Sequence, residues 1–286
     1  MASTHPAVII VPGAWSPPAF YEDFAAKLRS GGYATKILTL PSCNSSSPES
    51  ESCPKDVGVV RKQVVTLLDE EQKDVLMICH SFGGIVGGAA AHGLSKVARS
   101  KEGKSTGIVG LVYVSGLLIP AGVSMLQAFG GNLADYAVIN EPAEHQVAIK
   151  GAKDVFFNDL DDVEGEKWAK TLGMQSMRAF DSANPQTAWS EPDFAGRLAY
   201  IRCINDQAMP LQFQDSLMQM TAVEWKVSDI DTGHFPFVSK SGELAEKVEV
   251  FGDGFGQTAT TEHLYEQGMA DFDHLIARNF FPTHDY

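Results

Sequence analysis

One hexapeptide constrains this chain more than any bulk property: Cys79-His80-Ser81-Phe82-Gly83-Gly84. It follows the apolar run Val75-Leu76-Met77-Ile78 and opens the small-residue segment Ile85-Val86-Gly87-Gly88-Ala89-Ala90-Ala91. A buried strand, one serine among small residues and a helix able to pack closely read together as a nucleophile elbow. In so sharp a turn the serine takes strained backbone angles, and large side chains two positions to either side would strike neighbouring backbone. Gly83 meets that demand, and Cys79 meets it with a small side chain where glycine is commonest. The turn pushes the Ser81 hydroxyl clear of the sheet at a helix N-terminus, where backbone N–H groups face a developing negative charge.

The rest of the chain supplies a matching frame. Ala7 to Val11 is a short apolar run rich in β-branched residues, ending at Pro12-Gly13, and reads as a buried parallel strand. A helix is expected from about Pro17, with Phe20, Phe24 and Leu28 on one face and a stop at Gly31-Gly32. Ala34 to Leu40 reads as a second strand, the elbow strand as a third and Gly107 to Leu118 as a fourth. Asp56 is expected to cap a helix carrying Val57, Val60, Val64 and Leu67. Alternating strand and helix signals predict an α/β fold with a mostly parallel sheet covered on both faces. From Pro120 to Glu191 the rhythm breaks, and strands return at Leu198–Ile204 and Ala222–Val227. The expected organisation is a core of 1–119 and 192–250, a helical cap insertion at 120–191 and an extension at 251–286. That extension reads as a Gly-rich turn and an amphipathic helix with Leu264, Met269, Phe272, Leu275 and Ile276.

A serine hydroxyl is a poor nucleophile near neutral pH, so it needs a base, and the base needs an acid to orient it. In elbow architectures these follow in the order serine, acid, histidine, each on a loop after a strand. Asp206, in Asn205-Asp206-Gln207-Ala208-Met209-Pro210, is the expected acid, and His234, in Gly233-His234-Phe235-Pro236, the expected base. Asp229 and Asp231 read as solvated turn residues, and His80 as a filler of the elbow. The N–H groups of Ala14 and Phe82 are the expected oxyanion donors. Gly13, Trp15, Phe156, Phe157, Trp168 and Met209 are candidate pocket residues, with Met174, Met177 and Phe180 as further walls.

Other classes are disfavoured. A formal net charge of −14 argues against nucleic acid, since phosphate binding needs clustered Lys and Arg. Lys96, Arg99, Lys101 and Lys104 read as a solvated loop after a helix. No apolar run approaches the ~20 residues of a membrane span, and the first residues lack signal-peptide features, so a cytoplasmic protein is expected. The four cysteines, at 43, 53, 79 and 203, show no C-x-x-C spacing, and Cys43 and Cys53 are read as thiols. No metal or cofactor motif stands out. Gly252 to Gln257 only hints at a dinucleotide fingerprint, and no Gly-Lys-Ser/Thr follows Gly83–Gly88.

Val11-Pro12-Gly13-Ala14-Trp15, His80-Ser81-Phe82-Gly83-Gly84, the Asp206 and Met209-Pro210 segment and Gly233-His234-Phe235-Pro236 together resemble the α/β-hydrolase fold superfamily. The branch is that of plant methyl esterases, hydroxynitrile lyases and their microbial relatives, and the likeness spans about residues 7 to 248. The resemblance implies a cofactor-independent serine hydrolase acting on a carboxylic ester or lactone of an apolar small molecule. No nucleic-acid or membrane partner is expected from the charge and the lack of a long apolar run, and a homodimer is left open. Pro12 replaces the histidine that most relatives carry before the oxyanion glycine. Hydroxynitrile lyases carry threonine where Gly13 stands and lysine where Phe235 stands, so cyanohydrin cleavage would lack its hydroxyl contact and its cation. The alternatives are a fold relative doing lyase, carbon–carbon cleavage or cyclase chemistry with His234 as base, and a ligand-binding receptor without turnover.

Overall fold

The computed structural model describes residues 5–255. Its strands are β1 (Ala7–Val11), β2 (Thr35–Ile37), β3 (Val75–His80), β4 (Ile108–Val114), β5 (Ala137–Ile139), β6 (Gln146–Ile149), β7 (Gln175–Ser176), β8 (Leu198–Cys203) and β9 (Lys226–Ile230). Six of them form one sheet in the order β2-β1-β3-β4-β8-β9, with every neighbouring pair parallel. All residues of β1 and β3 are buried, which is why these strands read as unbroken apolar runs. The order reverses at β1, so right-handed crossovers send successive helices to opposite faces. Helices Glu22–Ser30 and Ser241–Phe255 pack together, as do Cys53–Val65 and Gly83–Ala91. This is the α/β-hydrolase fold, with a mostly parallel sheet flanked by helices.

Ser81 sits between β3 and the helix Gly83–Ala91 with a φ of 51°, in the left-handed region that L-residues avoid. The turn holds because that helix, buried at all nine positions, lies almost on the sheet. A Cβ on Gly84 would stand 2.5 Å from the Leu117 carbonyl oxygen, and one on Gly83 would collide with the Val11 carbonyl. A Cβ at Gly87 would strike the Cys79 sulfur. The cysteine thus fills on the strand the space that glycine leaves on the helix.

Several expectations need correction. The insertion is not purely helical: β5, β6 and β7 form a three-stranded antiparallel sheet between its short helices. The last strand begins at Lys226 rather than Ala222, because Ala222 (φ 53°) and a Trp225 indole N–H donated to the Thr221 hydroxyl at 2.9 Å form a turn. As the edge strand, β9 carries alternating rather than continuous burial. Gly252 and Gly254 belong to the helix Ser241–Phe255 and not to a turn. The helix expected at 264–276 lies outside the described residues.

The basic cluster is no solvated loop. Lys96–Lys101 is a short helix; Arg99 is buried, donates to the Thr106 carbonyl at 2.6 Å and pairs with Asp69, and Lys96 pairs with Asp74 at 2.6 Å. Nor does Asp56 cap a helix. The helix begins at Cys53 after Ser52, and the buried Asp56 carboxylate accepts the Ser42 N–H at 3.0 Å and the Ser42 hydroxyl at 2.5 Å. The Ser-rich segment is pinned by these bonds and by the bridge from Cys43 to Gln175 in β7. Burial pushes the Asp56 carboxyl up from 3.8 to about 6 against the pull of the Ser42 hydrogen bonds. All four cysteines are free thiols.

Two measurements check this packing. In urea unfolding, Gly84→Ala is expected to lose about 2 kcal/mol through overpacking. Gly58→Ala, exposed in the helix Cys53–Val65 with nothing within 4 Å of the added methyl, is expected to gain about 0.5–1 kcal/mol. The native state holds the Asp56 proton more tightly than the unfolded chain, so ionising it costs stability. Relative to Asp56→Asn, the wild type is therefore expected to weaken as pH rises from about 4 through about 6 and then level. Parallel stability curves for the two proteins would contradict this.

Candidate active site

The parallel sheet delivers the expected residues to one rim, beyond the C-terminal ends of their strands, where ligands bind in open α/β sheets. Ser81 follows β3, Asp206 follows β8 and His234 follows β9. His234 Nδ1 lies 2.7 Å from Asp206 Oδ2, and His234 Nε2 lies 3.0 Å from Ser81 Oγ. A carboxylate only accepts, so Nδ1 carries the proton, and Nε2 is free to accept from the serine hydroxyl. The other Asp206 oxygen accepts the N–H groups of Ala208 and Met209, each at 2.8 Å. Asp206 and His234 are buried, and Ser81 is half-buried, open to the cavity. Asp229 does not reach this site; on β9 it pairs with Arg202 at 2.7 Å, and Asp231 accepts the Asn205 amide at 2.5 Å. This geometry can move a proton from a hydroxyl to an imidazole whose resulting charge faces a fixed carboxylate.

Three buried polar residues to which the sequence assigned no such role brace this arrangement. Gln214 bridges the start and end of the acid loop, donating to the carbonyls of Cys203 at 2.9 Å and Met209 at 2.7 Å. His80, read as a filler, ties loops together. Its Nε2–H donates to the His234 carbonyl at 2.9 Å, so its Nδ1 accepts the Tyr21 hydroxyl at 2.8 Å. Burial, and next the neighbouring His234, hold the His80 imidazole well below the usual histidine range, while burial pushes the Tyr21 phenol up. The pair stays neutral and fixed in direction. Tyr21 in turn accepts the Gly13 N–H at 2.9 Å. The third is Gln175, whose side-chain oxygen accepts the Trp15 N–H at 3.2 Å. A sequence clue existed for Gln214 alone: it shares the buried face of its helix with Phe213, Leu217 and Met218.

Between those two occupied donors stands Ala14. No protein acceptor takes the N–H of Ala14 or of Phe82 among the described hydrogen bonds. Both residues border the cavity beside Ser81, where the sequence reading expects them.

The cavity measures about 600 Å³, within the range of small-molecule sites. Trp15, Phe156 and Met209 line it as expected, and Phe180 joins them. Gly13, Phe157 and Trp168 do not. Gly13 is packed under Ser81 and His80, where an added Cβ would stand only 3.0 Å from the His80 ring and from the Ser81 Cβ. Phe157 is fully buried and stacked on Phe235 at 5.0 Å, and Trp168 leans on Phe20 at 5.2 Å. Met174 and Met177 also lie off the cavity. Phe156 stacks on the His234 ring at 5.1 Å, so the insertion supplies one wall of the base. Among the lining residues there is no lysine or arginine; the polar ones besides Ser81 and His234 include Asp135, Tyr136 and Gln207. Burial first, and then Asp206, push the Tyr136 phenol up, so its hydroxyl stays protonated beside the cavity. No helix among the described residues is long and apolar enough to cross a membrane.

Comparison with known proteins bears on the family and the fold. The protein "Alpha/beta hydrolase nvfD" of Aspergillus novofumigatus is 26% identical over 238 residues, covering 82% of this chain and 91% of its own. A solved structure of the pyrethroid hydrolase PytH is similar at a TM-score of 0.67 and 17% identity, over 89% of this chain and all (100%) of that one. A solved structure of polyneuridine aldehyde esterase is similar at a TM-score of 0.65 and 18% identity, over 86% of this chain and 99% of that one. The sequence profile described as "Alpha/beta hydrolase family" matches residues 8–247. With a match of that extent over this fold, the chain belongs to the alpha/beta hydrolase family.

Proposed function

We propose that the protein is a serine hydrolase, independent of any cofactor, that cleaves a carboxylic ester or lactone of an uncharged, largely apolar small molecule. The observation carrying this reading is the unbroken chain from Asp206 through His234 to Ser81, opening onto the apolar cavity beside two residues, Ala14 and Phe82, whose N–H groups have no acceptor among the described hydrogen bonds. The hydrolase and esterase names of the relatives support it as well.

In this mechanism Ser81 Oγ attacks the ester carbonyl carbon while its proton passes to His234 Nε2. The carbonyl oxygen becomes an oxyanion that accepts from the N–H groups of Ala14 and Phe82. As the tetrahedral species collapses, the bond to the leaving alcohol breaks and His234 returns the proton to it. Water then gives a proton to His234 and attacks the acyl carbon, and collapse releases the acid and restores Ser81. Asp206 keeps the imidazole in the required tautomer throughout. The walls of Trp15, Phe156, Phe180 and Met209 favour an apolar body, and the Asp135 carboxylate disfavours an anionic one.

Steady-state kinetics on aryl, methyl and lactone esters test the reading. Ser81→Ala and His234→Ala are expected to lower kcat by up to about a millionfold, and Asp206→Asn by about ten-thousandfold. Turnover of Ser81→Ala close to wild type on every substrate would refute the nucleophile. Across esters of equal size, those bearing a carboxylate are expected to have the lowest kcat/KM, and Asp135→Asn to narrow that gap. Equal rates for neutral and anionic members would remove the charge preference.

A further inference from the structure

The loop that carries Ala14 is held from two sides by buried side chains. On the core side, Tyr21 accepts the Gly13 N–H. On the other side every polar group of Trp15 is taken by the segment 146–176: its N–H by Gln175, its carbonyl by the Gly173 N–H at 2.7 Å, and its indole N–H by the Val147 carbonyl at 2.7 Å. Trp15 holds a φ of 58°, a conformation an L-residue keeps only when its surroundings impose it. The Ala14 carbonyl accepts the Ser16 hydroxyl at 2.8 Å.

Gln175 is itself aimed. Its amide nitrogen donates to Ser42 Oγ at 2.6 Å, and the Ser42 hydroxyl donates to Asp56. Because an ionised carboxylate can only accept, Ser42 must give its proton to Asp56 and keep its lone pair for the Gln175 amide. The amide nitrogen therefore faces Ser42, and the oxygen faces the Trp15 N–H. Gln175, Ser42 and Asp56 are all 0% exposed, so water cannot substitute for a lost partner. Backbone bonds lock the same seam: Ser176 N–H to the Ser42 carbonyl and Asn44 N–H to the Met174 carbonyl, both 2.8 Å.

From this we infer that Gln175 is a positioning residue for the oxyanion donor: the relay Asp56–Ser42–Gln175 holds the Trp15 N–H as Tyr21 holds the Gly13 N–H, and the Gly13–Ala14 peptide bracketed between them is thereby set with its Ala14 N–H toward the reacting carbonyl. The inference rests on the hydrolase reading and adds to it that the oxyanion site is complete only while β7 is seated on the Ser42 segment. A residue that only shapes the pocket would affect substrate and transition state alike; one that aims an oxyanion donor affects the transition state selectively.

The test compares wild type with Gln175→Met, which keeps length and loses both hydrogen bonds, and with Ser42→Ala, which removes the anchor and keeps Gln175. The readouts are kcat and KM for a neutral aryl ester and the affinity of an aryl trifluoromethyl ketone, which forms a serine hemiketal with an oxyanion. Both variants are expected to lose about 10- to 100-fold in kcat with KM changed less than about threefold, and to lose ketone affinity in step with kcat/KM. If Gln175→Met does not fold, as judged by its circular dichroism, Ser42→Ala carries the comparison alone. Unchanged kcat, or a rise in KM with undiminished ketone affinity, overturns the role of Gln175. Failure of the wild type to bind the ketone, with Ser81→Ala still turning over, overturns the hydrolase reading and this inference together.

Discussion

The contact of the helix Gly83–Ala91 with the end of β1 and with the loop after β4 is the constraint on which the site depends. Only hydrogen atoms at Gly83 and Gly84 let that helix touch the Val11 and Leu117 carbonyls, and Ser81 takes its positive φ in the tight turn that leads into this approach. The strain is local, and the buried sheet around it supplies the stability that maintains it. Beside the same contact, Ser81 and Phe82 both border the cavity. Parallel strands then bring Asp206 and His234 to the same rim, although they are far from Ser81 in sequence.

A second theme is that polar groups are arranged in fixed directions inside an apolar setting. Tyr21, His80, Gln175 and Gln214 each have their donors and acceptors assigned by neighbours that can play only one role. Such networks hold loops in one arrangement, which catalysis by preorganised dipoles requires. Asp56 shows the cost. Its burial disfavours ionisation and so opposes stability near neutral pH, yet its ionised form gives the Ser42 to Gln175 relay its direction. Stability given up at one buried carboxylate and recovered through the core suits a site under functional demand.

What was legible in the sequence followed from the rules that govern backbone. The elbow, the acid loop and the histidine loop each carry glycine, proline or an abrupt change of hydrophobic pattern, because each marks a strand end where geometry is severe. β1 and β3 were legible because central parallel strands are apolar throughout. The edge strand β9 was displaced by four residues, since alternation beside a Trp-containing turn carries a weak signal. The insertion was legible only as a break in rhythm: β7 spans two residues, Gln175 and Ser176, and no periodicity can appear at that length. Gly13, Phe157 and Trp168 were misassigned to the cavity because an aromatic or glycine near a site reads the same whether it faces substrate or packs behind it. Tyr21 and Gln175 went unseen because their partners are distant in sequence and no local pattern announces them.

The central claim is that Ser81 carries the acyl group during turnover, with His234 and Asp206 driving its formation. Rapid quenching of the enzyme with a slowly deacylating aryl ester, followed by intact mass and peptide mapping, tests this most directly. The account predicts a transient mass increase equal to the acyl group, confined to the peptide containing Ser81, lost at the rate of turnover and missing from Ser81→Ala. Sustained hydrolysis with no adduct at Ser81, or an equal adduct in Ser81→Ala, would contradict it.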